Sequence, residues 1–389
     1  MLKNIFNYIK KILKLENKNK TKSVYLSGLK IKTTDNLKTN PLEYFKSEER
    51  KLLEVNSSIN PDIPYFPSIK EILKYFNDNY KVLPKMLINF ALFNTKTSDF
   101  YIEKRIITKN KERYIYIPKN FTKKIQKIIK KDILDKLTFP EEICGYIKNK
   151  NIKLAVEKHV KKDILILIDI KNFFPGIGRI KVRKAFENLG YPSDVAAFLT
   201  ALTTTKIKYQ EDNKIKTKCA LPIGSPTSPT IANLIITNIN NQIKNYFKTL
   251  QNDNNISSID HTIYADNIII SFNTSLKGQD LKNITNKIII ELKKIIAKNK
   301  LKINDSKIRV LKKRKIVLGL SINQKININK KYYKNLRAEI HNLSFNKNKL
   351  TKEKIETLKG KLSYLNFINP NKYNNLYKKY HTRLSEIFQ

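Results

Sequence analysis

The chain has 389 residues, enough for one large unit or for two to three domains. Its 41% apolar content allows a sizeable core, and its formal charge of +44 points to a polyanionic partner, nucleic acid first and an anionic membrane surface second. The two cysteines, Cys144 and Cys219, form no CxxC pair and the four histidines show no metal-ligand spacing, which argues against a disulfide framework and a zinc site.

Part of the charge also reads as the Lys, Asn and Ile bias of an AT-rich genome spread over a solvated surface. No apolar run approaches the ~18 residues of a membrane span. Lys10, Lys11 and Lys14 interrupt any signal-peptide core. A soluble, cytoplasmic protein without stable membrane insertion is expected.

Residues 1–16 have the spacing of a basic amphipathic helix, with Leu2, Ile5, Phe6, Ile9, Ile12 and Leu13 on one face. Docking on its own protein is the plainest use of such a helix; membrane or RNA contact are the alternatives. Residues 17–60 read as a polar connector with a short helix near Leu42–Leu53. A helical pattern resumes from Pro67 to about Thr95. Residues 101–118 alternate apolar and polar around a polar centre, Lys109 to Glu112, which predicts a hairpin. A basic amphipathic helix follows over 119–137.

The stretch Ile164 to Ile168 is continuously apolar and runs into Asp169, which predicts a strand buried on both faces. Helices follow over 178–206, and a second hairpin over 207–220 with Glu211, Asp212 and Asn213 at its tip. A Pro/Gly/Ser/Thr segment, 221–230, opens a long helix from Pro229 to about Leu250. Residues 263–270 read as strand, tight turn and strand, with Asp266 in the turn. A helix over 278–298, short strands near 301–310 and 315–323, and a basic helical tail over 330–389 complete the chain.

Asp169 and Asp266 are the carboxylates most able to carry chemistry. Each ends or interrupts an apolar strand, where an ionised group is costly unless it meets a metal or a donor. Brought together, two such groups make an oxygen site for Mg2+. Two Mg2+ ions about 4 Å apart activate a 3′-hydroxyl and stabilise a leaving pyrophosphate. Two unrelated strand-end aspartates are the plainer alternative, and the neighbouring segments weigh against it. Phe173, Phe174 and Pro175 follow Asp169, the segment Leu221 to Pro229 reads Leu-Pro-Ile-Gly-Ser-Pro-Thr-Ser-Pro, and Tyr264-Ala-Asp-Asn267 completes the set.

In this order these segments resemble the motifs of reverse transcriptases: Asp-x-x-x-Phe-Phe, Pro-x-Gly-x-Pro-Thr-Ser-Pro and the Tyr-x-Asp-Asp hairpin. Within that family the resemblance is to bacterial retron enzymes, with group II intron enzymes as cousins, over roughly residues 100–389. Arg113 to Pro118 is similar to the family's Arg-x-Ile-x-x-Pro strand. Ala155 to His159 matches the retron Asn-Ala-x-x-His element only at His159. Val317-Leu318-Gly319 carries Leu where retrons carry Thr, and Leu336 to Asn342 and Gly360 to Leu365 look like the retron thumb.

The resemblance implies an α+β right-hand polymerase: an N-terminal helical extension (1–98), fingers (99–168), a palm with an antiparallel sheet (169–308, with a fingers insertion near 178–228) and a helical thumb (309–389). It implies metal binding by Asp169, Asp266 and the Ile170 carbonyl, and catalysis by Asp169, Asp266 and Asn267. Phe173 and Phe174 fall beside the nucleotide, with Phe174 under the sugar, where its ring excludes a 2′-hydroxyl; a plain core phenylalanine is the alternative. Lys109 and Arg113 clamp the triphosphate, or belong to a solvated basic hairpin. Gly224 lets the backbone approach the nucleotide or primer end.

Lys307 is a candidate general acid for the leaving pyrophosphate, with an ordinary surface lysine as the alternative. Tyr264, His159, Arg337 and His341 are expected to contact nucleic acid. The partners implied are an RNA template, the RNA/DNA hybrid, dNTPs and a separate effector protein. Retron enzymes prime from a 2′-hydroxyl of their own noncoding RNA and act in defence against phage.

Asn267 is the main departure, since the family usually carries a second aspartate there. An amide still offers a carbonyl oxygen, but one negative charge is lost. That opens a competing reading, an RNA-binding scaffold with a weak or inactive polymerase core, and a third, another defence-linked reverse transcriptase.

Overall fold

A computed structural model of the chain describes residues 63–388 apart from 95, 109–110, 213, 251–254 and 346–350. The expected helix at 1–16, the connector at 17–60, its short helix and Lys109 lie outside the described residues.

In chain order the helices and strands open with α1 (Ile69–Tyr80), α2 (Pro84–Phe93), α3 (Thr97–Phe100), β1 (Tyr101–Thr108), β2 (Lys111–Pro118) and α4 (Asn120–Asp132). They continue with α5 (Ile152–Glu157), β3 (Ile164–Lys171), α6 (Phe173–Gly176), α7 (Arg179–Asn188), α8 (Ser193–Thr203), β4 (Thr205–Glu211) and β5 (Lys214–Ala220). Next come α9 (Ser228–Leu250), β6 (Ser258–Tyr264), β7 (Asn267–Asn273), α10 (Gly278–Lys298), β8 (Lys302–Ile303) and β9 (Arg309–Leu311). The chain closes with β10 (Ile316–Val317), β11 (Leu320–Ser321), β12 (Asn327–Ile328), α11 (Lys330–Phe345), α12 (Lys352–Ile368) and α13 (Pro370–Phe388). This is a mixed α+β architecture with small antiparallel sheets, and it divides into two compact units.

The first unit holds the residues up to Pro140, Lys171–Ile239 and Lys300–Lys302. Ser68 caps α1 by accepting from the Glu71 amide at 3.4 Å, and Lys81 ends the helix in the left-handed region at φ 53°. Strands β1 and β2 pair from Tyr101 with Pro118 to Thr108 with Lys111, the hairpin that the alternation predicts. One face of that hairpin buries Tyr101, Tyr114 and Tyr116 against Ile207 and Ala220 of the β4–β5 hairpin. A buried polar network closes the unit: Gln126 donates to the Tyr101 hydroxyl at 2.7 Å and accepts from Ser225 at 2.9 Å. Arg179, also buried, donates to Asn94 at 2.7 Å and Thr204 at 2.9 Å.

The second unit holds Glu141–Ile170, Asn240–Asn299 and Ile303–Gln389. Its main sheet has the order β6-β7-β3-β8, and β9 also pairs with β3. From Ile164 to Ile168 every side chain of β3 is buried, as a strand covered on both faces requires. Leu165, Leu167 and Ile269 join a core that runs through Leu336, Ile340, Leu358 and Leu362 of the helical tail. The short helix α5 goes unforeseen in the sequence. Asn151 starts it by accepting from the amides of Lys153 and Leu154 at 2.9 and 3.2 Å, a cap followed by too few turns to show a period. Among the described residues no helix is long and apolar enough to cross a membrane.

Candidate active site

The register of two strands brings the expected carboxylates to one place. Asp169 near the end of β3 stands opposite Asn267 at the start of β7, and the Ile170 amide donates to the Asp266 carbonyl at 2.8 Å. Both aspartates are half-buried. Tyr264 pairs with Asn267 across a two-residue turn, Ala265-Asp266. Ala265 takes φ 57°, a conformation that favours glycine and costs a β-carbon on the order of 1 kcal/mol.

The preceding loop holds that strained turn in place. Ile263 donates to the Glu142 carbonyl and accepts from the Cys144 amide, both at 2.8 Å. Gly145 lies so close that a β-carbon there would stand 2.5 Å from the Ala265 nitrogen. Tyr146 follows, and its hydroxyl pKa is raised by burial and by the nearby charges of Asp266 and Tyr264.

Each carboxylate has donors. Lys307 donates to Asp169 Oδ2 at 2.6 Å, and the Asn304 amide donates to the Asp169 carbonyl at 2.8 Å. The Asn304 side chain lies 3.4 Å from Asp169 Oδ1. Asn267 Nδ2 donates to Asp266 Oδ1 at 2.9 Å. No group of three or more His, Cys, Asp or Glu side chains able to hold a metal converges among the described residues. The donor set here is two carboxylates, one amide oxygen and main-chain carbonyls. That set suits Mg2+, which binds through one or two carboxylates and completes its shell with water and substrate phosphates.

Of the expected nucleotide-binding residues, Arg113, Phe173, Phe174 and Gly224 belong to the first unit. Phe174 is half-buried and sits against Phe173 with ring centroids 5.3 Å apart. Phe173 itself is 5% exposed, so of the two rings it is the more deeply packed. Arg113 is exposed on β2 opposite Ile106. The Ile223 carbonyl accepts from the Tyr116 amide at 2.7 Å, which ties the Pro/Gly segment to that same hairpin. Gly224 has φ 106°, and a β-carbon there would stand 2.8 Å from the Tyr116 carbonyl oxygen. Glycine is therefore already required by the protein's own packing.

His159 differs from its expectation as a nucleic-acid contact. It is fully buried, with Nδ1 2.6 Å from Ser271 Oγ and Nε2 2.8 Å from Thr262 Oγ1. Thr262 spends its only proton on the Ala155 carbonyl at 2.7 Å, so it accepts from Nε2–H and Ser271 donates to Nδ1. The side chain fastens the end of α5 to β6 and β7. Burial holds its pKa down at about 3, and holds that of His261, which pairs with Asn240 at 2.8 Å, down at about 4. Arg337 and His341 on α11 are exposed; Arg337 bonds the Tyr380 hydroxyl, and His341 Nδ1 accepts from Arg383 at 2.8 Å.

A family model described as reverse transcriptase (RNA-dependent DNA polymerase) matches residues 96–322. The chain belongs to the reverse transcriptase family. Among curated proteins it is 29% identical to the Retron Ec86 reverse transcriptase of Escherichia coli, covering 79% of this chain and 86% of that one. It is 30% identical to the Retron Se72 reverse transcriptase of Salmonella heidelberg, covering 51% of this chain and 46% of that one. It thus spans about half the length of the Se72 protein. Among solved structures, telomerase from Candida albicans in complex with a TWJ fragment of telomeric RNA aligns with TM-score 0.42 at 9% identity. That alignment covers 78% of this chain and 59% of that chain.

This reverse transcriptase is therefore of the bacterial retron type and an RNA-directed DNA polymerase by class. Sequence reasoning missed Asn304, Gly145 and Tyr146 as companions of the two aspartates. No local pattern links them to the hairpin, and only the fold brings Asn304 and Lys307 to Asp169.

Proposed function

We propose that this enzyme copies a noncoding RNA template into DNA, with Asp169 and Asp266 as the metal-binding carboxylates. The observation that carries this reading is the β3–β7 register, with Asp169 opposite Asn267 and the Ile170 amide on the Asp266 carbonyl at 2.8 Å. In this reading the two units contain the fingers, palm and thumb of a right-hand polymerase, within the ranges expected from sequence.

Asp169, Asp266 and the Ile170 carbonyl would hold two Mg2+ ions, with Asn267 contributing an amide oxygen. When bound, Mg2+ supplies Lewis-acid activation of the primer hydroxyl and neutralises charge on the leaving pyrophosphate. Asn304 and Lys307 hold the Asp169 carboxylate in a fixed orientation. Lys307, in an exposed turn with its ammonium on Asp169 Oδ2 at 2.6 Å, is the proton donor for the departing pyrophosphate. Phe174 bars a 2′-hydroxyl by volume. Lys109 and Arg113 bind triphosphate oxygens by charge-assisted hydrogen bonds. Gly224 leaves the backbone open at the nucleotide, and Tyr264 meets the primer end. Arg337 and His341 grip the template–primer duplex. The RNA/DNA product, a separate effector protein and a role in defence against phage follow from the relatives' type, as does a cytoplasmic setting.

The test is primer extension on RNA with dNTPs and Mg2+. Wild type extends the primer, and Asp169→Asn and Asp266→Asn each lose on the order of 100-fold or more in rate. Wild-type rates in both variants would remove the assignment. One observation favours a second reading: Asn267 replaces a charge with a donor to Asp266, which fits a scaffold that binds RNA without incorporation. Tight RNA binding by wild type with no extension on any template would select it.

A further inference from the structure

Three lysines of the first unit, Lys181, Lys218 and Lys300, lie close together. Lys181, in the first turn of α7, is half-buried; its ammonium donates to the Gly176 carbonyl at 3.0 Å and the Lys300 carbonyl at 2.8 Å. Lys218 on β5 lies over Gly178, where a β-carbon would stand 3.0 Å from its Cε and 3.6 Å from its Nζ. Lys300, just before β8, acts on Lys181 together with Lys218. After burial, these two charges push the Lys181 pKa down to about 8.

The neighbouring lysines are treated differently. Lys216 and Lys302 share Glu211, Lys171 pairs with Asp212, and Lys208 pairs with Glu103. Among the described residues no ion pair engages Lys181, Lys218 or Lys300. An unpaired lysine ordinarily turns its ammonium out to water. Lys181 instead stays half-buried beside two like charges, a costly arrangement that an anion reverses. Two of its three N–H donors are taken by carbonyls, which leaves one for a ligand.

We propose that Lys181, Lys218 and Lys300 form a phosphate-binding site that takes a backbone phosphate of the enzyme's nucleic acid. Of the three, Lys181 follows α6 closely in the chain, Lys218 comes from β5 and Lys300 from the turn before β8. The ligand's chemistry follows from three ammonium groups with no competing carboxylate. Its source, a polynucleotide backbone, rests on the polymerase reading; free pyrophosphate offers the same chemistry.

The experiment uses the full chain and needs no turnover. Lysine acylation is read by mass spectrometry with no ligand, with a single-stranded RNA, and with pyrophosphate. In parallel, RNA affinity is followed by fluorescence anisotropy across a salt series for Lys218→Met, Lys300→Met, the triple methionine variant and the paired-lysine control Lys216→Met. We expect RNA to protect Lys181 and Lys218. The triple variant should bind RNA roughly tenfold more weakly at moderate salt, with a salt slope shallower by about 0.7, one phosphate's worth for a single strand. Lys216→Met should change little. Protection by pyrophosphate as well as RNA supports the site and reassigns its source to free polyphosphate. No protection by either ligand, or an unchanged slope in Lys218→Met, Lys300→Met and the triple variant, overturns it. Failure of primer extension alongside intact protection counts against the polymerase reading only.

Discussion

Acidification from pH 7.5 to 5 should destabilise the second unit through its two buried histidines. His159 and His261 are 0% and 5% exposed, with pKa values held down at about 3 and about 4 by burial. In the unfolded chain each titrates near 6.5. The unfolded state therefore binds protons first, and stability falls as pH drops below about 6.5, levelling off only below the folded values. At pH 5 each histidine costs about 2 kcal/mol, from 1.36 kcal/mol per unit over about 1.5 units. That figure depends little on the folded values, since both lie well under 5. Together they remove about 4 kcal/mol. With a urea slope near 3 kcal/mol per M, the midpoint falls by roughly 1.3 M. The assay is urea unfolding followed by far-UV circular dichroism at both pH values, in about 0.3 M salt to screen surface repulsion. His159→Gln removes one titrating site and should halve the pH-dependent drop. A variant that keeps the whole drop would refute the role given to the His159–Ser271–Thr262 bridge.

Three further outcomes are predicted from the proposed site. Phe174→Ala should raise incorporation of ribonucleotides relative to deoxynucleotides by tenfold or more, roughly the effect of removing a steric block worth about 1.4 kcal/mol, read in single-nucleotide extension; an unchanged ratio would return Phe174 to an ordinary packing role. Gly224→Ala should lower stability by about 1–3 kcal/mol, because φ is 106° and the new β-carbon would press on the Tyr116 carbonyl at 2.8 Å; a melting temperature equal to wild type would contradict the close approach. Asn267→Asp should tighten metal binding about tenfold, measured with Mn2+ by electron paramagnetic resonance, since it adds a charge opposite Asp169; weaker binding would count against Asn267 as a ligand.

Much of the architecture is legible in the sequence because it is encoded locally. The continuous apolar run into Asp169 specifies a strand covered on both faces, and the helical period over 278–298 matches α10. The alternation on either side of residues 109–110 specifies β1 and β2. The order of the Asp, Pro/Gly and Tyr-x-Asp segments suffices for the family. What the period cannot carry is which residues of distant segments meet. A helix as short as α5 has too few turns to announce itself, and its signal lies in one capping side chain.

The sequence by itself determined the longer elements and the family and singled out the two aspartates, because side-chain periodicity and motif order are properties of neighbours along the chain. Tertiary structure alone decided that Asp169 stands opposite Asn267, that Lys307 and Asn304 close on Asp169, and that His159 is buried and neutral. Strand register and the solvation of a single polar group are set by the packing of the whole unit, where shifting β3 by one residue would turn its apolar faces over and part these groups.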